Sequence, residues 1–232
     1  MVDLVVNKIS PFFFNLIIIY CKTINDDDKW DHLLCKGIDQ EFIHTSYSEE
    51  HVMEQYETIS VLKEKFPQFR TLMIFDDMIS DNVSNKHKID MIAQLAVMGR
   101  HKGISVLFAT QYYKALAPAV RTNATHVLVF FQSNGDEFDK IQKANCAHLS
   151  PQTFLRIYNQ VFEGNDPHQT GGTGEKPFLQ INNTRELKDR YWKNWNTPIQ
   201  IEGYSDLGTK KDIEDPSSSS SEEEEDSRPK IK

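Results

Sequence analysis

The stretch Thr71-Leu-Met-Ile-Phe-Asp-Asp77 decides the fold of this chain, because an apolar run ends directly in two adjacent carboxylates. A second apolar run, Ile104-Ser-Val-Leu-Phe-Ala-Thr-Gln111, follows further along and ends in Thr-Gln. Short apolar runs bounded by polar residues predict buried strands. Strands that stop at paired carboxylates and at a polar side chain are typical of α/β domains that hold Mg²⁺ and the γ-phosphate of a nucleotide.

Strands and helices alternate on both sides of these two runs. Strands are predicted at Phe12–Tyr20, Thr71–Phe75, Ile104–Ala109, His126–Phe131 and Phe178–Ile181. Helices are predicted at His51–Phe66, Lys88–His101 and Gly135–Ala147, from Ser150 and Pro151 onward, and from Thr184 with Leu187, Tyr191 and Trp195 facing inward. This alternation predicts an α/β fold with a mostly parallel sheet and helices on both faces.

Composition indicates one globular domain followed by a tail. The chain has 232 residues, 39% of them hydrophobic, and a formal net charge of −8. We expect an incomplete α/β domain over residues 1–203 and a disordered serine-rich, acidic tail over 204–232. The negative balance excludes a generally basic nucleic-acid coat, so a DNA partner would need a local patch or a pore built from several subunits.

Cysteine usage and hydropathy predict neither a disulfide framework nor a membrane span. The three cysteines, Cys21, Cys35 and Cys146, are scattered and favour a reducing compartment. The apolar run at Pro11–Tyr20 covers about ten residues, whereas about 20 are needed to cross a bilayer. We therefore expect a buried strand there and no membrane partner.

The strand ends hold the predicted chemistry, since ligands of open α/β sheets bind at the carboxyl ends of the strands. Asp76 is the candidate ligand for Mg²⁺, usually through water, and Asp77 is the candidate for polarising the attacking water. Gln111 could hydrogen-bond the γ-phosphate or that water and sense hydrolysis. The alternative is an ordinary turn in which the aspartates satisfy backbone donors.

Two basic turns add candidate cationic residues. Arg100 precedes the strand at Ile104, and Arg121 precedes the strand at His126. Either could act as an arginine finger that completes a neighbouring subunit's site, although an exposed arginine is more often a solvated surface residue. Lys86, Lys88 and Lys114 are candidates for contacting DNA.

Three motifs in order carry a family resemblance. Leu72-Met-Ile-Phe-Asp-Asp-Met78, then Gly99-Arg-His-Lys-Gly-Ile-Ser-Val-Leu-Phe-Ala-Thr-Gln-Tyr112, then Val120-Arg-Thr-Asn123 resembles the poxvirus-type virion DNA-packaging ATPase. That family occurs in large DNA viruses, virophages and Maverick/Polinton elements and belongs to the FtsK–HerA branch of P-loop NTPases. The resemblance covers about Pro11 to Trp195.

The resemblance implies a ring-forming motor, a homo-oligomer that hydrolyses ATP to push double-stranded DNA into a capsid. Capsid or portal proteins would be its partners, at viral assembly sites in the host cytoplasm or nucleus, or in the virion. By resemblance, Asp76 and Asp77 are the Walker B carboxylates and Gln111 is the polar sensor. Arg100 matches the family's arginine-finger motif, and Arg121 lies in a second basic motif.

The 232 residues depart from the family in one respect, because they contain no Gly-x-x-x-x-Gly-Lys-Ser/Thr phosphate loop. Gly171-Gly-Thr-Gly-Glu-Lys176 is no substitute, since Pro177 follows the lysine and the loop comes late in the chain. The sequence thus looks like an N-terminally truncated copy that lacks its first strand and phosphate loop. We expect an unpaired central sheet edge and only weak binding of ATP and Mg²⁺.

Two alternatives stay open at this stage. The chain could be a non-hydrolysing relic or partner subunit that keeps the ATPase fold as an interaction surface. It could also be an unrelated α/β domain whose Asp-Asp pair is a turn.

Overall fold

The computed structural model of the chain describes residues 13–25, 30, 38–78, 91–163 and 176–201. Its described strands form two four-stranded sheets, one parallel and one antiparallel. The predicted tail over 204–232 and the candidates Lys86 and Lys88 lie outside the described residues, so their predictions stay untested.

The parallel sheet contains both apolar runs that end in polar residues, Thr71–Asp77 and Ile104–Gln111. Its strands are β1 (Leu16–Cys21), β2 (Ile43–His44), β3 (Thr71–Asp76) and β4 (Ile104–Ala109), in the order β2-β1-β3-β4. β3 is central, and its residues from Thr71 to Phe75 are all buried. A strand buried on both faces has no polar alternation, which is why its sequence is a continuous apolar run.

Two helices cover one face of the parallel sheet. They are α1 (Glu49–Lys65), whose N-cap Ser48 accepts a hydrogen bond from the backbone of His51, and α2 (Met91–Met98). Their buried side chains pack with Met73 and Phe75 of β3. On the opposite face, alternate residues of β1 and β3 pack against Ile24 and Trp30.

An aromatic stack lies beneath the carboxyl ends of the parallel strands. Tyr20 and Phe75 stack with ring centroids 4.8 Å apart and planes 5° from parallel, and Phe108 continues the stack 5.3 Å from Phe75. These three residues are opposite one another in the register of β1, β3 and β4. The next register row toward the carboxyl edge, which contains Cys21, Asp76 and Ala109, therefore lies directly beside this aromatic layer.

Gly103 fixes the amino ends of β3 and β4. Its φ of 72° is left-handed, and a Cβ atom there would come within 2.8 Å of the Phe69 carbonyl oxygen. Its own carbonyl accepts a hydrogen bond from Thr71 N at 3.0 Å. Only glycine meets both demands without strain.

The second half of the described chain forms the antiparallel sheet and three helices. The strands are β5 (His126–Val129), β6 (Leu179–Asn182), β7 (Tyr191–Lys193) and β8 (Thr197–Pro198), and the helices are α3 (Pro118–Asn123), α4 (Gly135–Asn145) and α5 (Pro151–Phe162). Ser150 and Pro151 open α5 as predicted. Phe154, Leu179 and Tyr191 are completely buried at the centre of this half.

The prediction of a final helix from Thr184 is wrong. The Asn182 side chain accepts hydrogen bonds from the backbone and hydroxyl of Thr184, which closes a turn instead of capping a helix. Tyr191 lies in β7 and pairs with Ile181 of β6. The spacing of Leu187, Tyr191 and Trp195 fits a helix, but the long-range pairing of β6 with β7 overrides it.

The α/β class and the parallel sheet are confirmed, with one correction. The predicted strands at His126–Phe131 and Phe178–Ile181 form, but they pair antiparallel to each other in the second sheet. The expected unpaired edge agrees with the strand order, because β4 is the last strand of the sheet and, among the described strands, pairs only with β3, along six register positions from Thr71↔Ile104 to Asp76↔Ala109. Within the described residues, no helix is both long and apolar enough to cross a membrane.

Candidate functional site

The carboxyl edge of the parallel sheet brings together residues that are far apart in the chain. Cys21 of β1, Asp76 of β3 and Ala109 of β4 stand in one register row. The backbone N–H of Asp77 donates to the carbonyl of Ala109 at 3.0 Å. Gln111 follows Ala109 by two residues, so the predicted carboxylates Asp76 and Asp77 and the predicted sensor Gln111 lie at the same edge of the sheet.

Asp76 is half-buried at this edge and is held by its neighbours. Its Oδ2 accepts a hydrogen bond from the Cys21 thiol at an S···O distance of 3.6 Å. Burial raises the pKa of the Cys21 thiol, so the thiol stays protonated and remains a donor. The arrangement orients one carboxylate oxygen through a neighbour that carries no charge of its own.

Asp77 is exposed and has an unusual backbone conformation. Its φ is 53°, in the left-handed region that only a few per cent of non-glycine residues adopt. Aspartate and asparagine tolerate this region better than other non-glycine residues. The turn ends β3 and leaves the side chain of Asp77 exposed, whereas that of Asp76 is half-buried.

Gln111 lies in a turn closed by the preceding residue. The Thr110 hydroxyl donates to the Tyr112 carbonyl at 3.1 Å and accepts from the Tyr112 N–H at 3.2 Å. Gln111 itself is exposed at the tip of this turn. Its amide is therefore presented to solvent from the end of β4, beside the carboxylates that end β3.

The structure places Arg100 away from this edge. Arg100 is exposed in the 3-10 turn Gly99–Lys102, which precedes the first residue of β4. The six residues of β4 span about 17 Å at about 3.3 Å per residue, so Arg100 and Gln111 lie at opposite ends of the strand. Arg100 is too far away to complete the site of its own chain.

Arg121 is already engaged within its own chain. Its Nε donates to the Leu116 carbonyl at 3.1 Å, and its guanidinium lies 5.6 Å from the centre of the Tyr113 ring. It is half-buried in α3. These contacts tie Arg121 to the segment that follows the turn at Gln111.

Two further residues bear on the site and were missed by sequence reasoning. Cys21 is one, and its signal was available, because it ends the apolar run of β1 as Asp76 ends that of β3.

Glu137 is the other: its buried carboxylate accepts from the Lys114 backbone N–H at 3.4 Å and from Lys140 Nζ at 2.9 Å. The hydrogen bond to Lys140 is the main cause that lowers the pKa of Glu137, so it stays ionised. No local pattern shows that α4 would meet the turn after Gln111.

The donor set at the carboxyl edge fits Mg²⁺ and nucleotide only in part. Mg²⁺ is usually held by one or two carboxylates together with substrate phosphates and water, which Asp76 and Asp77 could supply. Among the described residues, no group of three or more His, Cys, Asp or Glu could hold a metal ion. Two cavities of about 260 and 610 Å³ lie along α1, and neither is lined by Asp76, Asp77 or Gln111.

Comparison with known proteins gives a family and a fold. The family model described as poxvirus A32 protein matches residues 31–168, which is more than half of the chain. No curated protein sequence matches the chain.

Solved structures similar to the chain include those of B204, a genome-packaging NTPase of Sulfolobus turreted icosahedral virus 2. Its complex with ATP-gammaS is 15% identical, with a TM-score of 0.54 over 86% of this chain and 91% of B204. Its AMP complex is 14% identical, with a TM-score of 0.53 over 83% of this chain and 86% of B204. At this level of identity, the likeness shows the fold.

Proposed function

This chain belongs to the poxvirus A32 protein family, the viral packaging ATPases, and from that premise we propose that its parallel sheet carries the hydrolytic site of an ATP-driven motor for packaging double-stranded DNA. Capsid or portal proteins would be partners, at viral assembly sites in the host cytoplasm or nucleus. The observation that carries the proposal is the carboxyl-edge row, where Asp77 N bonds to Ala109 O at 3.0 Å and places both aspartates beside the Gln111 turn.

Each residue of that edge has a proposed task. Asp76, oriented by Cys21, would hold Mg²⁺, which when bound neutralises phosphate charge. Asp77, exposed on its left-handed turn, would polarise the attacking water and accept its proton. The Gln111 amide would hydrogen-bond the γ-phosphate or that water, and the Glu137 contact to Lys114 would transmit a change at this turn to α4.

The position of Arg100 supports the proposed ring of subunits. Because Arg100 lies at the far end of β4 from Gln111, it could stabilise phosphate charge only in a neighbouring subunit. Arg121, which is tied to Leu116, would act by holding the sensor turn in place. Lys114, exposed next to that turn, remains a candidate for contacting DNA.

The phosphate loop is the part that these 232 residues do not contain, and we propose that it is supplied from outside them. Without backbone N–H groups and a lysine to cradle the phosphates, Asp76 and Asp77 alone give little affinity for a polyanion. The second candidate function, a non-hydrolysing partner subunit in the motor ring, is favoured by the same gap in the sequence.

A nucleotide-binding titration separates these functions. We expect the 232-residue chain alone to bind Mg-ATP with a dissociation constant weaker than about 1 mM, which corresponds to less than about 4 kcal/mol of binding energy. Micromolar affinity of this chain would contradict the need for an external phosphate loop.

The decisive variant is Asp77→Asn in a protein completed with a phosphate loop. Asparagine keeps the left-handed turn but cannot accept a proton, so turnover should fall at least 100-fold while ATP binding is retained. Arg70→Gln, at the opposite end of β3, serves as the matched control and should leave turnover unchanged. If the completed protein binds ATP but never hydrolyses it, the partner-subunit function is the correct one.

A further inference from the structure

Two histidines outside the carboxyl-edge site point their ring nitrogens at one atom. His44 of β2 and His51 of α1 lie with ring centroids 4.4 Å apart and planes at 88°. Their Nε2 atoms are 3.0 Å and 3.3 Å from the same atom, Nε2 of Gln55. Gln55 follows His51 by one helical turn, so both side chains lie on one face of α1.

The Gln55 amide connects both rings to Tyr20. Tyr20 donates to Oε1 of Gln55 at 2.5 Å, which leaves the amide nitrogen facing the histidines. In this orientation the amide nitrogen can donate to an unprotonated Nε2 of each ring. Neutral imidazole with an unprotonated ring nitrogen is the form of histidine that binds metal ions. Burial lowers the pKa of His44, with a further contribution from His51, and this favours the same form.

We propose that His44 and His51 form a binding site for a divalent transition-metal ion of the Zn²⁺ class, with the Gln55 carbonyl as a third ligand. Imidazole nitrogens bind Zn²⁺ at about 2.0–2.1 Å, which places two ligand atoms of a tetrahedral ion about 3.3 Å apart. The present distances of 3.0 Å and 3.3 Å between the rings and the Gln55 amide are close to this spacing. Rotation of the Gln55 amide would exchange its nitrogen for its oxygen, and the Tyr20 hydroxyl can then accept from the NH₂ group.

Solvent reaches the cluster from the side of His51 and Gln55. A cavity of about 260 Å³ is lined by His51 and Gln55 together with Glu41 and Glu54. It gives an ion a path of entry and room for water as the fourth ligand. No carboxylate joins the two histidines within the described residues, so the affinity should be that of a three-ligand site, in the micromolar range.

Bound metal would link two separate elements. β2 is the edge strand of the parallel sheet and pairs with β1 at only two positions, Ile19↔Ile43 and Tyr20↔His44. A bond from His44 through the ion to His51 would tie this edge to α1, directly beside the stacked ring of Tyr20. The expected result is a higher unfolding temperature in the presence of the ion.

The test is a titration of the 232-residue chain with Zn²⁺ by calorimetry, and with Co²⁺ by visible absorption. We expect micromolar Zn²⁺ affinity and a Co²⁺ spectrum of nitrogen and oxygen ligands without thiolate charge-transfer bands. His44→Ala and His51→Ala should each weaken Zn²⁺ binding at least tenfold. His101→Ala, an exposed histidine in the turn before β4, is the matched control and should bind like the parent chain.

A gain-of-affinity variant keeps the proposal testable if the alanine variants fold poorly. Gln55→Glu replaces a neutral ligand with a carboxylate and should tighten Zn²⁺ binding at least fivefold and raise the zinc-dependent unfolding temperature further. Parent affinity weaker than 1 mM, or Gln55→Glu binding no tighter than the parent, would leave the cluster as a hydrogen-bond network and overturn the proposal. A Co²⁺ spectrum with thiolate bands would do the same.

Discussion

The parallel and antiparallel sheets differ in where their strands end: the carboxyl ends lie at one edge of the parallel sheet and alternate between both edges of the antiparallel sheet. All strands of the parallel sheet run in one direction, so residues as distant in sequence as Cys21, Asp76 and Ala109 meet at one edge. In the antiparallel sheet the strand ends alternate, and its polar residues close turns, as Asn182 does for Thr184. The comparison teaches that the direction of the strands, more than the composition of either half, decides where a site can form.

Removal of a central aromatic ring should have the largest effect and tests whether the two sheets unfold together. Phe75 and Phe154 are each completely buried, one in each half. We expect Phe75→Ala and Phe154→Ala to lower the free energy of unfolding by about 3–5 kcal/mol each in urea titrations. Both should shift a single transition, because Leu116 packs against the core of the antiparallel half and also against Ile92 and Val120, which Phe108 of β4 contacts as well. Two separate transitions would mean that the halves are independent.

The buried thiols Cys146 and Cys21 should contribute differently to the loss of stability at alkaline pH, which distinguishes the two halves. Burial raises the pKa of Cys146 from 9.0 to about 11. The unfolded thiol ionises first, so the stability is fully present below pH 9 and is lost as the pH rises toward 11, by about 2–3 kcal/mol. Denaturation from pH 8 to 11 should therefore show a flatter dependence for Cys146→Ala. Cys21→Ala, in the parallel half, serves as the comparison and should flatten the curve less.

Glu137 is the contact between α4 and the Gln111 turn, and its loss should cost an intermediate amount. Glu137→Ala leaves the Lys114 N–H without its acceptor and Lys140 without its ion pair, which should lower the free energy of unfolding by about 2 kcal/mol. Chemical denaturation measures this loss. Glu163→Ala, at the end of α5 and exposed, is the control and should stay within about 0.5 kcal/mol of the parent chain.

The smallest expected effect concerns the backbone at Asp77. Asp77→Ala and Asp77→Gly both remove the carboxylate, but only glycine suits a φ of 53°. Asp77→Ala should therefore be less stable than Asp77→Gly by about 1 kcal/mol in thermal or urea unfolding. Equal stabilities would show that the turn relaxes in solution, and the assignment of a fixed geometry to Asp77 would have to be withdrawn.

Three strands of the parallel sheet could be predicted because their signals are local. β1, β3 and β4 lie in apolar runs, and Asp76, Asp77 and Gln111 stand at the ends of two of them, whereas the two-residue strand β2 (Ile43–His44) has no such run and was not predicted. The edge they share was predicted from the rule that parallel strands bind ligands at their carboxyl ends. Their catalytic roles remain predictions.

The rest depended on contacts between residues far apart in the chain. Thr184 looked like a helix start until the pairing of β6 with β7 was known, and Arg121 looked free until its bond to Leu116 was seen. The Cys21 thiol and the Glu137 carboxylate gain their meaning from partners 55 and 23 residues away. Periodicity within a short window cannot report such partners.

Gly103 has a consequence for residues at the far end of the sheet. Since its carbonyl bonds to Thr71 N, it sets the alignment of the two strands that lead to Asp76 and Gln111. A slip of one residue at this point would turn every side chain of one strand to the opposite surface. A change of side chain at Gly103 would therefore misalign the catalytic candidates without touching any of them.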